Sequence, residues 1–222
     1  IGEDSSLAYN FYVARKIIYN ICISLLFPMI AVNAWGASEK SKHLVDVATV
    51  NSQIHVELRY LTNWNFIGRP VVGYKSNTCY LSKEAAKSLS KVQGYVERLG
   101  YSLLAFDCYR PKQAVAEFVK WVADEKDQKM ARVFYQEVPK SQLIQKGYIA
   151  SRSGHSRGST IDLTLIKTPK AKTIRRPSLY FKEGDGDCRK QNGEAYGDQL
   201  DMGTIYDCFS ALASTDHPQV CA

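Results

Sequence analysis

A histidine and an aspartate seven residues apart are the pair in this chain best suited to chemistry. His155 offers a neutral imidazole nitrogen and Asp162 offers a carboxylate, and zinc accepts both kinds of ligand. A catalytic zinc ion usually takes three protein ligands and leaves its fourth position to water. On spacing alone the pair is a weak signal, because the metal motifs that carry weight contain more ligands.

The segment that contains Asp162 predicts a strand that would aim this carboxylate. Its apolar residues alternate with polar ones, the period of two that is typical of a strand with one face on the core. These apolar residues are Ile161, Leu163 and Leu165. Asp162 would project from the opposite face, and Gly154 and Gly158 would permit a tight loop that brings His155 over that face.

Further segments predict helices and short strands. Ser82 is a good N-cap for a helix that Gly100 would stop, and Pro111 opens a second helix. Apolar residues of the first helix recur at helical spacing at Ala85, Leu89, Val92 and Val96. Strands are predicted over residues 45–50, 54–58 and 101–106.

A charged turn follows the strand predicted over residues 101–106. It consists of Asp107, Cys108, Tyr109 and Arg110, and Pro111 comes next. Functional side chains are often found at strand ends, because a rigid element positions them. The alternative is that Arg110 forms a surface ion pair, which is the more frequent role of an arginine.

Three segments, in the same order, resemble the D-alanyl-D-alanine dipeptidases of the vancomycin-resistance type. The motif S-x-H-x-x-G-x-x-x-D at residues 153–162 is similar to their zinc motif, and residues 60–68 and 107–111 are similar to two further segments. The resemblance implies an α+β fold with a small, mainly antiparallel sheet, helices on one side and zinc on the other. It implies hydrolysis of the dipeptide D-Ala-D-Ala with one zinc ion per chain, held in part by His155 and Asp162.

The same resemblance implies roles for three other residues. Arg110 would stabilise the oxyanion that forms when water attacks the scissile carbonyl. Asp207, the last residue of a similar segment at 201–207, would bind the ammonium group of the dipeptide, and Ser153 would contact the same group. The structural alternative for Asp207 is a carboxylate that satisfies turn amides.

One expected motif is missing from these 222 residues. The family takes its third zinc ligand and its general base from a later E-W-W-H motif. His217 is a weak substitute, because a terminal loop fixes a ligand poorly. We expect residues 37–222 to form the dipeptidase domain, and we expect the chain to be a C-terminally truncated piece of an active dipeptidase. The alternative is a short product that has lost activity.

Two further functions stay open. A D,D-carboxypeptidase or endopeptidase would act on peptidoglycan stems through an open groove, where a dipeptidase needs a closed pocket. A non-catalytic envelope-binding module would lack a working metal site. The net charge of +7 fits a solvated basic surface or attraction to an anionic polymer, but no basic run is interleaved with aromatic residues, so we expect no nucleic-acid partner.

The N-terminal residues resemble a secretory signal peptide. Two basic residues precede an apolar run over residues 17–32, and small residues follow it. We expect residues 1–36 to be removed on export to the periplasm or cell envelope, with no stable membrane insertion afterwards. A transmembrane anchor is the alternative, although the run is shorter than the ~20 residues that span a bilayer and contains Pro28.

Five cysteines remain after that cleavage, and export would place them where disulfides form. Cys188 and Cys208 flank one polar segment, and we expect these two to pair. The sequence leaves the partners of the other cysteines open.

Overall fold

A computed structural model gives the structure of residues 44–168, 186–189 and 199–218. These residues belong to one unit that extends over residues 41–222. The predicted signal peptide lies outside the described residues. So does most of the polar segment at 167–199, including its basic residues Lys170, Lys172, Arg175 and Arg176.

The longest strand, β4 (Tyr101–Asp107), is the centre of a three-stranded sheet. It pairs in parallel with β2 (His55–Val56) and antiparallel with β5 (Asp162–Lys167). A second sheet pairs β1 (Leu44–Asp46) antiparallel with β3 (Tyr80–Ser82). All residues of β4 after Tyr101 are buried, as expected of a central strand covered on both faces. The architecture is α+β and mainly antiparallel, which confirms the predicted fold class.

In the described residues, two long α-helices and two single-turn α-helices accompany these sheets. They are α1 (Val47–Val50), α2 (Lys83–Glu97), α3 (Lys112–Ala123) and α4 (Ala131–Phe134). The predicted N-cap of α2 is confirmed, because the Oγ of Ser82 accepts a hydrogen bond of 3.2 Å from the amide of Ala85. Within the described ranges, no helix has both the length and the apolar character needed to cross a membrane.

Two strand predictions need correction. The strand expected over residues 45–50 ends at Asp46, because the Asp46 carboxylate accepts a hydrogen bond from the Ala48 amide at 2.9 Å and caps α1. In β5 the expected alternation of buried and exposed faces is wrong. Thr164 is buried like Leu165, so both faces of the strand are covered.

A cluster of aromatic rings forms the main core. Phe66 lies at its centre, with ring centroids of Phe118, Trp121 and Phe209 at 4.9, 5.0 and 5.1 Å. The loop that carries Phe66 is held by Asn65, whose buried side-chain amide hydrogen-bonds backbone groups on both sides of the turn. Burial of each large ring contributes roughly 1.5–3 kcal/mol.

Gly158 joins the two sheets at a close contact. Its φ is +72°, and its carbonyl accepts a 2.7 Å hydrogen bond from the amide of Ser82. A Cβ atom at this position would lie 2.4 Å from Cδ2 of Leu44. The position therefore requires glycine, both for the left-handed backbone and for the space.

We predict that Gly158→Ala lowers the free energy of unfolding by about 1–3 kcal/mol, because it adds backbone strain and a steric clash. Gly94→Ala is the matched control. Gly94 lies within α2, and no atom lies within 4 Å of its ideal Cβ, so alanine should stabilise the helix by ~0.5–1 kcal/mol. Urea unfolding of both variants measures the two changes; equal stability of Gly158→Ala and the wild type would contradict the role given to Gly158.

Candidate active site

A β-bulge brings two carboxylates together at the end of β4. Ala105 pairs with Leu163 and Asp107 pairs with Asp162, so Phe106 is the extra residue in β4. Bulges bend a strand and re-aim the side chains beside them. Here the bulge sets Asp107 directly opposite Asp162.

His155 lies in a 3₁₀ turn, Gly154–Arg157, that is hydrogen-bonded to the turn after β4. The amide of Arg110 donates to the carbonyl of His155 at 3.3 Å, and the Ser156 hydroxyl donates to the carbonyl of Arg110 at 2.9 Å. Ser153 caps the turn, because its Oγ accepts from the His155 amide at 3.2 Å. Hydrogen bonds between the two turns therefore fix the backbone of His155 relative to that of Arg110.

The two ring nitrogens of His155 have different partners. Nδ1 lies 2.8 Å from the carbonyl oxygen of Cys108 and 3.3 Å from Oδ2 of Asp107. Nε2 lies 3.5 Å from Oδ2 of Asp162. Because the Cys108 carbonyl only accepts, Nδ1 carries the proton in the neutral ring, and the lone pair of Nε2 faces Asp162. A carboxylate behind an imidazole in this way is the usual support of a metal-binding histidine.

Three side chains in the described part of the chain could hold a metal ion together. Ligand atoms of Asp107, His155 and Asp162 all lie within 4.8 Å of one another. Asp107 is fully buried, and its oxygens already accept hydrogen bonds from Tyr74 Oη at 2.7 Å and from the Cys108 amide at 2.9 Å. The Asp162 side chain is 34% exposed. His155 and Asp162 are therefore the more available ligands, with Asp107 as their support; His217 is not part of the group.

Arg110 is a largely buried cation beside this group. Its Nε and Nη2 each lie 2.8 Å from Oδ2 of Asp107, and Nη2 lies 3.7 Å from Oδ2 of Asp162. The rings of Tyr60 and Phe118 lie 5.3 and 5.1 Å from its Cζ, within the range of cation–π contacts. The side chain is only 14% exposed, so the ion pair with Asp107 is not the surface pair considered as the alternative.

Asp207 approaches the site from the C-terminal segment in a strained conformation. Its φ is +65°, a value that few residues other than glycine adopt. Its Oδ2 is buried and has no hydrogen-bond partner among the described residues. Burial, together with the charge of Asp162, raises the pKa of Asp207 to about 7.

Tyr206 connects this segment to the metal group. Its hydroxyl donates to Oδ2 of Asp162 at 2.9 Å and lies 3.2 Å from the hydroxyl of Tyr60. This hydrogen bond holds the same Asp162 oxygen that lies near Nε2 of His155.

The charges of the site influence one another's protonation. Burial opposes charge on His155, but its hydrogen bond to Asp162 and the charges of Asp162 and Asp107 outweigh burial and raise the pKa of His155. Burial would raise the pKa of Asp162, yet His155 and Arg110 bring it below its usual value. For Asp107, burial dominates and raises the pKa.

The structure brings the residues singled out in the sequence into one region. They are Arg110, Ser153, His155, Asp162 and Asp207, and Arg110 Nη1 lies 3.5 Å from Ser153 Oγ. The sequence assigned no role to Asp107, Tyr74, Tyr60 or Tyr206. The available signals were the position of Asp107 at a strand end, three residues before Arg110, and the presence of Tyr60 and Tyr206 in the segments that carry the resemblance.

The family model described as D-ala-D-ala dipeptidase, of the M15 peptidases, matches residues 40–174, more than half of the chain. The chain belongs to this family. The match contains Asp107, Arg110, His155 and Asp162, so the metal group and its arginine lie within the shared M15 region.

Curated relatives of this M15 chain carry the same description. A D-alanyl-D-alanine dipeptidase of Enterococcus faecalis is 46% identical over 109 residues, which cover 49% of this chain and 54% of the relative. One of Enterococcus faecium is 42% identical over 111 residues, with 50% and 55% covered. One of Escherichia coli is 27% identical over 177 residues, with 80% and 67% covered. The chain spans about half the length of the two enterococcal relatives.

We predict that Asp207→Asn stabilises the metal-free chain at high pH more than at low pH. The pKa of Asp207 is about 7 in the folded state, against an ordinary value of 3.8, so the folded state keeps a proton that the unfolded chain releases. The free energy of unfolding therefore falls as pH rises from about 4 through about 7. Asparagine avoids this loss and tolerates the left-handed backbone. Urea unfolding with a chelator should show a gain of about 1–3 kcal/mol at pH 8 and a smaller gain at pH 4.

The control for this experiment is Asp216→Asn, because Asp216 is an exposed acid in the same segment. Its effect should stay within about 0.5 kcal/mol at both pH values. A gain from Asp207→Asn that did not change with pH would contradict the raised pKa.

Proposed function

We propose that this protein is a zinc-dependent dipeptidase that hydrolyses D-alanyl-D-alanine. The observation that carries the proposal is the convergence of one ligand group, His155, and one cation, Arg110, on a carboxylate oxygen of the second ligand group, Asp162. Oδ2 of Asp162 lies 3.5 Å from Nε2 of His155 and 3.7 Å from Nη2 of Arg110. Membership of the M15 family and the printed names of the relatives support the substrate.

His155 and Asp162 would hold the zinc ion. One imidazole and one carboxylate are ligands that suit zinc, and Asp107 and the Cys108 carbonyl fix the ring so that Nε2 is the free nitrogen. When bound, zinc would polarise the scissile carbonyl and lower the pKa of a bound water towards ~7. The resemblance implies that the third ligand and the general base come from an E-W-W-H motif. These 222 residues lack that motif, so neither role is given to a residue of this chain.

Arg110 would stabilise the negative charge that grows on the carbonyl oxygen in the transition state. Its guanidinium needs no reorganisation, because Asp107 and the rings of Tyr60 and Phe118 already fix it. Fixed cations in a site with little water stabilise such charge more than mobile ones do. Burial disfavours the charged form of Arg110, but the surrounding tyrosines and Asp107 raise its pKa, so it stays charged.

Asp207 and Ser153 would bind the ammonium group of the dipeptide. The buried Oδ2 of Asp207 has no partner in the described structure, and a buried carboxylate is stabilised when a cation pairs with it. Ser153 Oγ lies next to Arg110 and the His155 amide, so the dipeptide would extend between Asp207 and Arg110. This arrangement favours a substrate with a free amino group over a peptidoglycan stem.

We also propose that the protein is exported to the periplasm or cell envelope after removal of residues 1–36. Two disulfides in the described structure, Cys79–Cys108 and Cys188–Cys208, support this proposal, because disulfides persist in oxidising compartments. The second of these is the pair expected from the sequence.

We predict that a chain extended through the family's E-x-x-H segment binds one zinc ion and that the 222-residue chain binds zinc weakly, because two ligands leave the site open. His155→Ala and Asp162→Ala should each abolish this binding, because each removes one of those two ligands. Zinc competition against a chromophoric chelator measures the affinity of both chains, and elemental analysis after dialysis measures the stoichiometry of the extended chain, expected to be one zinc ion per chain. His217→Ala is the control and should bind like the wild type. Unchanged affinity in both ligand variants would refute the metal site.

We predict that Arg110→Ala lowers kcat on D-alanyl-D-alanine by ~10²–10³, since loss of one oxyanion donor has about this effect. The measurement uses a product extended through the family's E-x-x-H segment, with D-alanine release as the assay. Arg110→Lys should recover little activity, because an ammonium group cannot reproduce the planar fork. Zinc content should stay unchanged in both variants. Wild-type turnover in Arg110→Ala would end the role proposed for Arg110.

A further inference from the structure

We infer that the two disulfides are positioning elements for separate halves of the site. Cys79–Cys108 holds the metal-binding half, and Cys188–Cys208 holds the half that would bind the substrate ammonium. In both cases the bridged cysteine directly follows a site aspartate, Asp107 or Asp207. The inference rests on the proposed function, because it assigns these halves to zinc and to the dipeptide.

The first disulfide fixes one peptide segment that contacts both His155 and Asp107. The amide of Cys108 donates to Oδ1 of Asp107 at 2.9 Å, and its carbonyl lies 2.8 Å from Nδ1 of His155. Its partner, Cys79, is anchored in turn, because its carbonyl accepts a 2.9 Å hydrogen bond from Val47. Both cysteines are buried. The amide of Tyr109 also donates to the carbonyl of Tyr80 at 2.9 Å, so without the disulfide this hydrogen bond would remain between the two segments, and the Cys108 carbonyl that orients the imidazole would lose its covalent restraint.

The second disulfide fixes the segment on which Asp207 lies. Cys188 donates its amide to the carbonyl of Val133 and accepts from the amide of Ile205, both at 2.9 Å. The disulfide to Cys208 joins the Cys188 segment to the residue that follows Asp207, and the φ of Asp207 is +65°. A strained residue keeps its conformation only when its surroundings over-determine it. The disulfide supplies such a constraint on the C-terminal side of Asp207.

If the two disulfides only stabilised the fold, removal of either one would have similar effects. The sequence separations are 29 and 20 residues, and the constraint on the unfolded chain varies only slowly with loop length. Two purely structural disulfides would therefore weaken the protein by similar amounts and affect both halves of the site together. If the bridges instead position the site, loss of the first should weaken zinc binding, and loss of the second should weaken dipeptide binding.

The experiment compares two double variants of the 222-residue chain, Cys79→Ser with Cys108→Ser and Cys188→Ser with Cys208→Ser. The first should lose about 10–100-fold in zinc affinity, the range observed when groups that support a metal ligand are removed. The second should keep wild-type zinc affinity. Calorimetric titration of the zinc-loaded chains with D-alanyl-D-alanine should show a loss of roughly tenfold or more in the second variant, and Asp207→Asn serves as its reference.

Thermal melting of each variant sets an assay temperature at which all chains are folded. If the serine pair at positions 79 and 108 fails to fold, Cys79→Val with Cys108→Ala restores apolar packing without the bridge and takes its place. Equal zinc affinity in this pair and the wild type would overturn the inference, as would parallel losses of zinc and dipeptide affinity in both double variants. Failure of the wild-type chain to bind zinc would instead refute the proposed function itself.

Discussion

The buried ion pair between Arg110 and Asp107 is the interaction on which the rest of the site depends. Removing two charges from water is costly, and such a pair persists only where further hydrogen bonds complete it. Tyr74 and the Cys108 amide supply those bonds to Asp107. The same carboxylate lies 3.3 Å from the imidazole of His155, so one buried group fixes both the guanidinium and the histidine. Loss of either partner would leave an isolated buried charge, at a cost of about 3–5 kcal/mol.

The site as a whole has more acids than cations. Among the site residues that the structure describes, Asp107, Asp162 and Asp207 lie around the cation Arg110, and that cation is paired mainly with Asp107. The surplus negative charge contributes to the raised pKa of Asp207. It also gives a physical reason for a divalent ion beside Asp162, because such an ion would offset the charge that the protein leaves unbalanced. Substrate ammonium would do the same beside Asp207, so the charge pattern suits two different cations at two places.

Local sequence patterns predicted the elements that depend on local chemistry. Ser82 as a helix cap, the apolar run that became β4 and the motif at residues 153–162 all had signals of their own. The strand expected at residues 45–50 failed because the capping carboxylate of Asp46 competes with extended structure. The role of Asp107 and the hydroxyl contacts of Tyr60 and Tyr206 were not predictable, since they depend on the register between β4 and β5 and on contacts between distant segments.

The bulge at Phe106 links the register between β4 and β5 to the geometry of the site. Successive side chains of a strand point to opposite faces, so a change of one residue reverses every position beyond it. Without the bulge, Phe106 would lie opposite Asp162, and Asp107 would point to the other face of the sheet, away from Asp162, with the composition of the strand unchanged. The residues of β4 after Tyr101 are buried, so packing constrains their types, and the bulge adds a constraint on their register with β5. Among homologues, a regular β4 of the same length, without the bulge, would mark a protein that retains the sheet and has a different site.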